Sequence, residues 1–132
     1  MKTTWLSAMI FAVLTAGVRA EDIVVIVNPA AKPVSKAQVA DIYLGRSAEL
    51  TPIDQTVGSS IYVQFYQKAT GRDAAQVKAI WSRILFTGRG QPPKQLPDSA
   101  AVKKSVAANP NAVGYIEKSA VDATVKVALP LD

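Results

Sequence analysis

The chain is 132 residues long and contains neither histidine nor cysteine. Those two absences exclude an imidazole general base, a Ser-His-Asp triad, a thiolate nucleophile, a disulfide, and zinc–thiolate or iron–sulfur ligation. Apolar residues make up 49% and charged residues 19% of the sequence, a composition that supports one globular domain.

The first twenty residues read as a cleavable export signal. Lys2 is a short positive start, Trp5 to Leu14 is apolar but too short to span a bilayer, and Val18-Arg19-Ala20 ends on a small residue that signal peptidase accepts. Cleavage after Ala20 leaves one exported domain over residues 21–132. Without Lys2 and Arg19, 13 basic residues face 10 acidic ones, and the net charge falls from +5 to +3. That removes most of the support for nucleic acid as a partner. The excess is concentrated between Lys68 and Lys104, where eight basic residues face Asp73 and Asp98.

Ile23 to Val27 is a continuous β-branched run stopped by Asn28-Pro29, the pattern of a strand buried on both faces. Ser35 and Gln38 have capping-box spacing and open a helix through Tyr43 and Leu44 that Gly45 stops. A short strand is expected near Pro52 to Thr56. Gly58-Ser59-Ser60 then opens a helix with the stripe Ile61, Tyr62, Phe65, Tyr66 and Ala69, ended by Thr70-Gly71. Asp73 and Gln76 form a second capping-box pair, followed by Val77, Ile80, Trp81, Ile84 and Leu85 at amphipathic spacing.

Phe86 to Lys94 is too rich in Gly and Pro to be other than a loop. Asp98 caps a helix to Ala108, Asn109-Pro110-Asn111 turns the chain, and Val113 to Ile116 and Thr124 to Leu129 read as strands. Alternating strands and helices predict an α/β fold, a layered mixed sheet flanked by helices.

The serines at the Gly58-Ser59-Ser60 helix start are candidate anion contacts, because a first helical turn offers unpaired N–H groups and partial positive charge. Helix capping, the commoner role of a serine at such a position, also explains Ser59 and taken alone is the better account. Arg89, between Gly88 and Gly90, offers paired donors to a phosphate or carboxylate on a backbone that can approach closely. The segment lacks the length and the Lys-Ser/Thr end of a nucleotide-binding loop. Asp41, Asp54, Glu117 and Asp122 cannot be assigned to one cleft from spacing, so neither a two-carboxylate hydrolase nor a metal site has support. The helical spacing of Tyr62, Tyr66 and Trp81 favours core packing over a stacking platform. No cofactor and no metal is expected, and no catalytic residue is assigned.

Three segments in order carry a resemblance: Val34 to Arg46, Gly58-Ser59-Ser60 with Phe65-Tyr66, and Asn109 to Ile116. Together they resemble the phosphate-binding proteins of ABC transporters. The run Trp81 to Gly90 looks like the mark of a small single-lobe branch of that family. The resemblance implies one lobe of a type 2 periplasmic binding protein, a periplasmic location, and Ser59 and Ser60 as phosphate contacts. Its partners would be phosphate or a similar small anion, and a transporter or other membrane protein. The competing expectation is an envelope interaction module that keeps the fold without the ligand and uses its basic residues and the Thr87 to Lys94 loop.

Overall fold

The computed structural model describes residues 22–131; the export-signal reading of residues 1–20 falls outside them. Five strands and four helices follow in the order β1 (Ile23–Val27), α1 (Lys36–Tyr43), β2 (Thr51–Gln55), α2 (Ser60–Thr70), α3 (Ala74–Phe86), β3 (Lys94–Leu96), α4 (Ser99–Ala108), β4 (Ala112–Glu117) and β5 (Lys126–Leu131). They form one mixed sheet of order β3-β2-β4-β1-β5. β1 is antiparallel to β4 and β5, whereas β2 runs parallel to β3 and β4.

Every residue of β1 is buried, because its alternate side chains enter different layers. Ile23, Val25 and Val27 join Val113, Tyr115 and the apolar sides of α1, α2 and α3. Val24 and Ile26 join Ile53, Ile116 and the Val102 and Val106 face of α4. Three helices thus cover one face and one helix covers the other. Period-two alternation with both faces covered yields the continuous apolar run seen in the sequence.

The helix ends follow their capping residues. Ser35 and Asp73 form reciprocal capping boxes with Gln38 and Gln76, and Asp98 accepts from the Ala101 amide. Gly45 leaves α1 at φ 76°. A Cβ there would lie 2.5 Å from Ile84 Cδ1 and 3.2 Å from Trp81 Cη2, so this glycine also admits α3 against the end of α1. Trp81 Nε1 fixes that contact by donating to the Tyr43 carbonyl at 3.0 Å.

Two elements depart from expectation. Lys94, assigned to the loop, begins β3, whose Lys94, Gln95 and Leu96 pair in parallel with Ile53, Asp54 and Gln55. Three residues without apolar alternation are held there by the ladder on β2 rather than by their own pattern. β5 starts at Lys126 rather than Thr124 and continues through Pro130. It lies at the sheet edge, where the missing proline N–H removes no ladder bond from the interior.

The basic stretch is divided by the sheet. Lys78 and Arg83 sit on α3, while Lys103 and Lys104 sit on α4 across the sheet. Lys103 is engaged with Asp122 at 2.8 Å and the Ala120 carbonyl at 3.0 Å.

Candidate functional site

The entry to α2 is built by Gly58 at φ 81° followed by Ser59 in extended conformation as the N-cap. The Ser59 hydroxyl accepts weakly from the Tyr62 amide at 3.4 Å, and its carbonyl accepts from the Val63 amide at 3.1 Å. The Ser60 and Ile61 amides therefore head the helix without an intrahelical acceptor. The Ser60 hydroxyl is exposed and accepts from Gln64 Nε2 at 2.8 Å, which leaves its own proton to donate outward. The first turn holds no acidic residue, so nothing on the helix itself opposes an anion there.

Arg89 lies elsewhere. It lines a cleft of about 370 Å3 with Arg46, Ser47, Thr51, Gly90 and Gln91, among others. Neither Ser59 nor Ser60 lines that cleft, so Arg89 shares it with Arg46 and not with the serines. A second cleft, of about 490 Å3, is bounded by Ala30 to Val34, Gln38, Glu49, Leu50, Pro110 and Asn111.

The most developed polar cluster surrounds Asp54, a carboxylate 4% exposed on the inner face of β2. Tyr66 donates to its Oδ2 at 2.8 Å and Tyr115 donates to its Oδ1 at 2.9 Å. The Tyr115 hydroxyl in turn accepts from the Gln55 amide at 3.1 Å. Phe65 stacks on Tyr115 with ring centroids 3.8 Å apart, and Tyr43 meets the rings of Phe65, Tyr66 and Tyr115 edge-on.

Burial raises the Asp54 pKa to about 7, and the two tyrosine hydrogen bonds offset only part of that rise. The same burial, reinforced by the nearby carboxylate, pushes Tyr62 up to about 12 and holds Tyr43, Tyr66 and Tyr115 far above their ordinary range. The tyrosines are thus fixed as donors. A third cleft, of about 450 Å3, opens onto Asp54 between α2, α3 and the segment from Pro92 to Gln95.

The helical spacing of Tyr62, Tyr66 and Trp81 predicts core packing, and all three are buried. The Asp54 cluster is not marked by any such spacing. The available signal was the position of Asp54 beside Ile53 on a strand covered on both faces, which turns one of the two residues into each layer. Its tyrosine partners lie 12 and 61 residues away, beyond any local pattern.

No protein-family model and no curated protein matches the sequence. Solved structures match the fold. A phosphate ABC transporter substrate-binding protein of Clostridium perfringens, solved with bound phosphate, aligns at TM-score 0.63 and 22% identity, covering 81% of this chain and 44% of its own. An ABC-type phosphate transport receptor of Vibrio cholerae aligns at TM-score 0.61 and 18% identity over 81% of this chain and 45% of its own. PstS of Borrelia burgdorferi aligns at TM-score 0.52 and 15% identity over 74% of this chain and 41% of its own. The chain thus spans less than half the length of these neighbours, and its fold is that of one lobe of a phosphate ABC transporter substrate-binding protein.

Proposed function

We propose that the chain is an exported, periplasmic binding lobe for phosphate or a related oxyanion, with Ser59, Ser60 and the amides at the start of α2 as its contacts. The observation that carries this reading is the open α2 N-terminus, with two hydroxyls and no acidic residue in its first turn. The fold it shares with phosphate receptors supports the choice of anion. Arg89 and Arg46 contribute positive potential from their own cleft rather than a direct contact. The role is binding rather than catalysis, and a transporter is the natural partner for such a lobe.

Magnitudes set the affinity. A helix terminus contributes roughly 0.3–1 kcal/mol toward an exposed charge, and each charge-assisted hydrogen bond about 1.5–3 kcal/mol. After association costs, two or three such contacts reach about 4 kcal/mol, which is millimolar binding, and fall short of the roughly 8 kcal/mol of a micromolar receptor. A second lobe or a docked partner would supply the difference. Calorimetric titration tests the reading: phosphate binds at millimolar level and Ser60→Ala weakens it several-fold. No heat up to about 10 mM phosphate removes the free-standing receptor.

One observation favours a second reading, docking on an envelope protein. Phe86 is 94% exposed and Leu85 is 50% exposed at the end of α3, close in sequence to Arg83 and Arg89. An apolar tip among cations suits an acidic partner surface with an apolar centre. Capture from solubilised envelopes that survives both Phe86→Ser and an Arg83/Arg89/Lys94 charge reversal rules this reading out.

A further inference from the structure

The cleft over Asp54 carries an inference independent of the anion site. Tyr62, Val77, Trp81 and Leu85 line it together with Pro92 and Pro93, and the buried Asp54 forms its floor. Among its lining residues the only other charged group is Lys78, which is exposed on α3. Asp54 has tyrosine donors but no counter-cation: among the described residues the ion pairs are Arg46–Asp41 and Lys103–Asp122. Each carboxylate oxygen accepts one hydrogen bond here and has capacity for another.

A buried carboxylate that lacks a cation, at the floor of an apolar and aromatic cleft, is the complement of an organic ammonium. The charged N–H groups find acceptors on Asp54, and the apolar walls take up a hydrocarbon body. An oxyanion meets the opposite field at that floor. We propose that this cleft binds a small primary ammonium bearing an apolar or aromatic group, with its nitrogen on Asp54 and its body against Tyr62, Trp81 and Leu85.

The groups facing Asp54 are Tyr43 from α1, Tyr62 and Tyr66 from α2, and Tyr115 from β4, with Lys78 from α3 on the cleft lining. All four tyrosines stay protonated through neutral pH, so among these carboxyl and phenol groups Asp54 is the one that changes charge between about pH 5.5 and about pH 8. The ammonium probe keeps its charge over the same range.

The test is calorimetric titration of the protein with phenethylamine and with its neutral isostere phenethyl alcohol. At about pH 8 the amine binds about tenfold tighter than the alcohol, and at about pH 5.5 that preference shrinks below about threefold. Asp54→Asn abolishes the preference at pH 8 while phosphate binding persists, which separates this site from the α2 N-terminus. Lys78→Ala, on an exposed residue that leaves the core untouched, tightens the amine several-fold by removing a like charge. Equal affinity for amine and alcohol at about pH 8, no heat from either up to about 20 mM, or an unchanged preference at about pH 5.5 overturns the proposal.

Discussion

The Tyr66 hydroxyl donates to Asp54 Oδ2 at 2.8 Å inside the aromatic layer between α2 and the sheet. The bond joins a helix to a strand through a buried carboxylate, so its removal exposes no new water contact that could replace it. Tyr66→Phe is expected to destabilise the protein by about 1–3 kcal/mol at pH 8. The loss should be smaller at pH 5, where Asp54 is neutral and the hydrogen bond is not charge-assisted. Urea unfolding at the two pH values checks this; an equal loss at both contradicts an ionised Asp54 at pH 8.

The raised pKa of Asp54 also fixes the sign of its pH dependence. Between the ordinary carboxylate value and about 7, the folded chain holds a proton that the unfolded chain has released. Stability therefore falls as pH rises through that window and levels off above about 7, with a ceiling of about 4 kcal/mol for this group. Asp122, held down to about 2 by Lys103 and Thr124, acts with the opposite sign and loses its contribution only below the ordinary carboxylate range. Asp54→Asn should flatten the decline between about pH 4 and about pH 7 in a series of unfolding curves. An unchanged slope would assign the decline to other groups.

On the other face, α4 approaches β4 over Gly114. A Cβ at Gly114 would lie 2.5 Å from Val102 Cγ1 and 3.2 Å from Val106 Cγ2. Gly114→Ala should cost about 1–3 kcal/mol by forcing α4 outward, and Val102→Ala in the same chain should recover part of it. Thermal unfolding of the single and double variants measures the recovery. Strictly additive losses would mean that the two side chains do not compete for space.

The two serines of α2 separate capping from binding. Ser59→Ala removes the cap and should lower stability by up to about 1 kcal/mol, at the low end because its bond to the Tyr62 amide is long. Ser60→Ala, at an exposed hydroxyl, should leave stability within about 0.5 kcal/mol. Phosphate affinity should fall in both. A Ser60→Ala variant that binds phosphate like the wild type would remove Ser60 from the site.

Local chemistry was readable wherever one segment carries its own signal. Ser35 with Gln38, Asp73 with Gln76, and Asp98 each mark the helix start they cap, and the run Ile23 to Val27 announces a strand covered on both sides. β3 was not readable, because Lys94-Gln95-Leu96 takes its conformation from β2. Nor was the environment of Asp54, since Tyr43, Tyr66 and Tyr115 converge on it from three elements. The basic residues clustered in sequence between Lys68 and Lys104 do not share one face, because α3 and α4 lie on opposite sides of the sheet.

An oxyanion bound at the start of α2 would lie against the amides of its first turn. Amide chemical shifts followed during a phosphate titration test this placement most directly, because they report affinity and position together. Saturable shifts are expected at Ser60, Ile61 and Tyr62 with a millimolar midpoint, and little change at Gly90 and Gln91 beside Arg89. Shifts confined to the Arg46 and Arg89 cleft, or none at all up to about 10 mM, would contradict it.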